Sequence, residues 1–69
     1  MWILRYANGT EESFHILSVA KRKLRAAPDG SCIYEPRSEV NKPVHFYKQN
    51  GRVVKTNVEA SLWYANTAS

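Results

Sequence analysis

Two Asn-Gly pairs, Asn8-Gly9 and Asn50-Gly51, each stand between short runs in which apolar and polar residues alternate. A period of two marks a strand with one buried face, and Asn-Gly suits a two-residue type I′ turn because both central positions need positive φ. The pattern predicts a first hairpin from residues 2–7 and 10–16. A tight turn there sets Ala7 opposite Thr10, Arg5 opposite Glu12 and Ile3 opposite Phe14 on one face. On the other face it sets Tyr6 opposite Glu11, Leu4 opposite Ser13 and Trp2 opposite His15. The second pair predicts a hairpin from residues 44–48 and 52–56. It joins Tyr47 to Val54, Phe46 to Lys55, Lys48 to Val53 and His45 to Thr56.

Between the hairpins the period lengthens. Ala20, Leu24 and Ala27 follow helical spacing, and Ser18 is suited to N-cap a helix over 19–26. Lys21, Arg22 and Arg25 lie on another side of that helix, and Lys23 points away from them. Pro28-Asp29-Gly30 ends the helix with turn chemistry. Ser31 to Glu35 reads as a short strand suited to a sheet edge, and Pro36 to Pro43 as a loop. Thr56-Asn57-Val58-Glu59 has the form of a capping box, so a second helix is expected over 57–66, with Val58, Leu62 and Ala65 on one face. The order β-β-α-β-β-β-α describes one α+β domain over 1–69. Its expected form is an antiparallel sheet of four to five strands with two short helices on one face.

Length tightens this picture. A chain of 69 residues makes one domain with a thin core, because small domains bury only about 60% of the surface their unfolded chains expose. Trp2, Tyr6, Phe14, Tyr34, Phe46, Tyr47, Trp63 and Tyr64 are the obvious filling. Cys32 is the single cysteine, so no intrachain disulfide can form, and a lone thiol suits a reducing compartment. The start of the chain lacks the form of a signal peptide, and no run approaches the roughly 18 apolar residues of a membrane span. The expectation is a cytoplasmic protein without a membrane partner. Homodimerisation is the remaining route to extra stability.

Charge points to the partner. Ten Lys and Arg against six Asp and Glu give a formal +4, which favours nucleic acid or an acidic protein surface. The helix carries Lys21, Arg22, Lys23 and Arg25 with no acid between them. The second hairpin carries Lys48, Arg52 and Lys55 around its turn, with Phe46 and Tyr47 beside them. Cations meet phosphates and aromatics stack on bases. A solvated helix face and a core built from those aromatics explain each element separately. The case for binding therefore depends on the two elements sharing a face, which the sequence leaves open.

Catalytic and metal chemistry find little support. Cys32 with His15 or His45 has no spacing that selects a nucleophile–base pair, and a small buried hydrophobe on a strand is the simpler reading. One cysteine and two separated histidines do not make a zinc site. Gly9, Gly30 and Gly51 are isolated turn glycines, not a phosphate cradle, so no cofactor is expected. Glu11 and Glu12 point to opposite faces of a strand and cannot form a carboxylate dyad.

The expected function is a small, non-enzymatic, basic binding module. It would contact nucleic acid through Lys21, Arg22, Arg25, Lys48, Arg52 and Lys55. RNP, KH and helix-turn-helix signatures are all missing from the sequence. The alternative is a protein-interaction module, such as a phage- or plasmid-type accessory protein or an inhibitor acting on a host protein. Tyr64, Arg37 and Glu39 would then carry the contact.

Overall fold

The computed structural model describes residues 1–56. The helix expected over 57–66, and Tyr64 with it, lies outside the described residues. Six elements follow in order: β1 (Trp2–Arg5), β2 (Glu11–Phe14), α1 (Leu17–Ala26), β3 (Cys32–Tyr34), β4 (Val44–Gln49) and β5 (Arg52–Lys55). The strands form one antiparallel sheet in the order β2-β1-β3-β4-β5, and α1 packs against it. Leu4, Ile33, Ala20, Leu24 and Ala27 form the buried centre, bordered by Trp2, Tyr6, Phe14, Leu17, Phe46 and Val53. The helical stripe Ala20–Leu24–Ala27 is thus the buried one. β3 is the central strand and not an edge, because it pairs with β1 on one side and with β4, returned by the connection through Pro36 and Pro43, on the other.

The second hairpin has the expected register, with Tyr47 opposite Val54 and Lys48 opposite Val53. Asn50 has φ 54° and Gly51 φ 75°, the two positive values a type I′ turn requires. The first hairpin differs by one residue. Trp2 faces Phe14, Leu4 faces Glu12 and Arg5 faces Glu11. Asn8 is not among the residues of positive φ; only Gly9 is, at 92°. Gly9 N–H donates to Tyr6 O at 2.8 Å and Tyr6 N–H to Thr10 O at 2.8 Å, which closes a three-residue loop with a glycine bulge. The Asn8 side chain accepts from the Thr10 N–H and hydroxyl. Burial explains the choice of loop. A one-residue slip exchanges strand faces, and the observed register brings Phe14 beside Trp2 against the core, where the tighter turn would place His15.

The helix begins earlier than its polar signal suggests. Ile16 occupies the N-cap position with no side-chain cap, and Ser18 lies inside the first turn. Packing of Leu17 against the core outweighs the missing cap, which is worth only about 1 kcal/mol. The helix ends at Ala27, whose extended backbone (φ −80°, ψ 155°) is what the residue before a proline prefers.

The turn after the helix stitches both hairpins together. The Asp29 carboxylate accepts the N–H groups of Asn50 and Gly51, each at 3.0 Å. Buried Ser31 accepts the Ala7 N–H on its hydroxyl at 3.1 Å.

On the sheet face turned away from α1, Glu11 accepts from the Tyr34 hydroxyl at 2.6 Å and pairs with Arg5 at 3.1 Å. The Arg5 guanidinium lies over the Tyr34 ring at 5.3 Å. These contacts tie edge strand β2 to central β3 across β1. The Tyr34 hydrogen bond, and then Arg5, hold the Glu11 carboxyl below its ordinary 4.5. A carboxyl depressed in the folded state stabilises the fold above its unfolded value and loses that contribution as pH falls through the folded one. Urea midpoints measured between pH 7 and pH 2 are therefore expected to drop below about pH 4.5. Glu11→Gln is expected to flatten that drop and to lower the midpoint at pH 7. An unchanged acid slope in Glu11→Gln would refute this role.

Candidate nucleic-acid interface

Three elements position the cations named from the sequence, and strand alternation sorts them. On β4 and β5, Phe46, Lys48, Val53 and Lys55 face α1, while Tyr47, Arg52 and Val54 face the other way. Lys48 was expected at the surface among the phosphate contacts, and the structure corrects this. Its residue is 6% exposed. Its ammonium donates to the carbonyls of Arg25, Ala27 (2.9 Å) and Leu24 (3.4 Å). The carbonyls of a helix's last turn lack intrahelical partners and form the negative end of its dipole. Lys48 supplies the missing donors from the sheet, so it has none to offer a ligand.

The other cations stay near the surface. Lys21 is half-buried with Nζ 4.6 Å from the Phe46 ring centre, a cation–π contact between helix and sheet. Lys55 stands directly opposite Phe46 on β5 and is exposed. Lys21 over the ring and Lys55 at the cross-strand position opposite Phe46 put cations of the basic helix and of the second hairpin on one sheet face. Arg22 and Arg25 are exposed on α1, and Arg25 follows Lys21 by one helical turn. Arg52 is also exposed but lies on the opposite face, beside the turn.

The aromatics near these cations are committed to the fold. Phe46 sits beneath Lys21 and against the core. Tyr47 faces the other side of the sheet, opposite Val54. Tyr6 donates its hydroxyl to Glu12 at 2.9 Å, and Trp2 meets His45 edge-on at 5.1 Å. The base-stacking role considered for Phe46 and Tyr47 thus has no exposed ring to use at the Lys21–Lys55 face.

The loop residues of the alternative reading lie elsewhere. Arg37 pairs with Glu35 at 3.0 Å, which holds the Glu35 carboxyl below its ordinary value. Glu39 is exposed in a turn ordered by the Ser38 hydroxyl, which accepts the N–H groups of Val40 and Asn41. His45 stands 3.5 Å from Glu35. Cys32 is buried in the central strand, and burial pushes its thiol up to about 11, so it is protonated at neutral pH. Asp29 and Ser31 were missed as connectors by sequence reasoning. The Pro-Asp-Gly turn was a signal for Asp29, but its hydrogen-bond partners lie 21 and 22 residues further along.

Replacing Lys48 by Met keeps bulk but removes a charge-assisted donor to three carbonyls. The expected loss is about 2–3 kcal/mol, read as a lower urea midpoint with faster hydrogen exchange in the last turn of α1. Stability within about 0.5 kcal/mol of the parent, the range of an inert surface change, would overturn the capping role.

No protein family, curated protein or solved structure matches this chain.

Proposed function

We propose that the domain binds nucleic acid through phosphate contacts made by Lys21, Arg22 and Arg25 of α1 together with Lys55 of β5. The observation that carries this reading is the shared Phe46 ring. Lys21 lies over it and Lys55 stands opposite it, so cations distant in sequence form one basic surface. No acidic residue interrupts α1. The exposed side chains of Arg22, Arg25 and Lys55 suit phosphates, which need charge without fixed base geometry. With the neighbouring rings committed to packing, affinity comes from the backbone and sequence preference is weak. Arg52 is a peripheral contributor, since it projects from the other face. Lys48 acts indirectly, by holding the end of the helix that carries Arg25.

A protein contact through the loop over 36–43 is the second reading. Its support is Val40, which is 96% exposed between Glu39 and Asn41 on a loop fixed by its own hydrogen bonds. Such a partner would survive high salt, and Val40→Asp would release it.

Fluorescence anisotropy on labelled oligonucleotides across a salt series tests the main reading. Affinity is expected to fall steeply with salt, and each lost phosphate contact should lower the log–log slope by about one. Arg22→Glu with Arg25→Glu is expected to weaken binding at least about tenfold, since two contacts become two repulsions. Arg52→Glu is expected to weaken it less. Absence of binding at low salt, or equal affinity for the double reversal and the parent, would end the proposal.

A further inference from the structure

We infer that the nucleic acid is duplex DNA and that α1 enters its major groove as a ridge, with cations on both flanks for the two bordering phosphate strands. This inference rests on the phosphate-binding reading and narrows it to one substrate class.

The arrangement around α1 carries it. Ser18, Arg22, Arg25 and Ala26 lie on the side away from the buried stripe, and all are exposed. The helix has ten residues, which gives a ridge about 15 Å long. Arg22 stands mid-ridge, while small Ser18 and Ala26 one turn on either side keep the backbone low and allow close approach. Lys21 fixes one flank, because its ammonium lies over Phe46 on β4. Arg25 and, across the sheet, Lys55 extend that flank toward β5. Lys23, two residues beyond Lys21, is rotated by about 200°. It therefore stands on the opposite flank, toward β1, and is exposed. A residue that dilutes a one-sided patch completes a two-sided one.

Two rows of cations astride a ridge match two rows of phosphates astride a groove. An α-helix with its side chains is about 10–12 Å across, and the major groove of B-DNA is about 12 Å wide. The major groove of A-form RNA is too narrow and deep for a helix, and a single strand has no second backbone for Lys23 to meet. Glu12, on the same sheet face at the β2 edge, is exposed with its carboxylate taken by Tyr6, and makes the Lys23 flank the weaker of the two.

The test compares one random 20-mer sequence as duplex DNA, duplex RNA and single-stranded DNA, with parent, Lys23→Glu and Arg25→Glu proteins checked for fold by circular dichroism. Duplex DNA is expected to bind at least about tenfold tighter than either alternative. Both reversals are expected to weaken duplex binding, and methyl green in the major groove is expected to compete where netropsin in the minor groove does not. Equal or tighter binding to single strands or to duplex RNA would overturn this inference alone, as would Lys23→Glu at parental affinity or competition by netropsin only. Binding to none of the three would overturn the underlying phosphate reading as well.

Discussion

The buried ammonium of Lys48 is the interaction on which the arrangement of helix and sheet depends. A helix that ends at an extended Ala27, without a left-handed glycine cap, leaves its last carbonyls short of donors. Here the carbonyls of Arg25 and Ala27 find their donor on β4, and the Leu24 carbonyl, which already accepts the Ala27 N–H at 3.1 Å, gains a second at 3.4 Å. A cation removed from water is costly unless it is fully hydrogen-bonded, so helix end and strand must stay in register. The Lys48 backbone is fixed too, donating to Ser31 O and accepting from Gly30 N–H. One residue thus joins helix, sheet and the turn between them. In a chain with a small core, such a polar junction takes on alignment that bulk packing provides in larger domains.

The remaining polar contacts follow the same economy. Asp29 holds the turn of one hairpin and Ser31 the loop end of the other, from positions two residues apart. On the far face, Glu11 gathers Arg5 and Tyr34 and so links β2 to β3 across β1. These contacts leave a specific set of cations at the surface. Lys48 is consumed inside, Arg5 and Arg37 are paired with Glu11 and Glu35, and Arg22, Lys23, Arg25, Arg52 and Lys55 remain exposed, as does Lys42 on the loop before β4. The basic character of the proposed interface is therefore what is left after the fold has used its charges.

Lys21 occupies the boundary between these roles. Its ammonium lies over Phe46, so it contributes to packing, yet the residue is only half-buried and sits on the sheet face that also carries Lys55. A cation on an aromatic face retains its charge for a further anion. The same contact orients one flank of α1 toward β5 and, by helical geometry, sends Lys23 to the other.

The sequence by itself determined the order of elements within residues 1–56 and the register of the second hairpin. Asn50-Gly51 has a local preference for two positive φ values, and the alternation of Phe46 to Lys48 against Val53 to Lys55 agrees with that turn, so local and tertiary demands coincide. The buried stripe Ala20–Leu24–Ala27 was legible for the same reason: its period is local. Tertiary structure decided what depends on partners far along the chain. Asn8-Gly9 is the same dipeptide, yet burying Phe14 beside Trp2 selected a longer loop and moved every pair by one residue. Leu17 overrode the capping signal of Ser18. Lys48 looked like a surface cation because its carbonyl partners lie 21 to 24 residues earlier. The candidate site was half legible on the same principle. Helix periodicity marked Lys21, Arg22 and Arg25, whereas their union with Lys55 and the separation of Arg52 required the pairing of β4 with β5 beneath the helix.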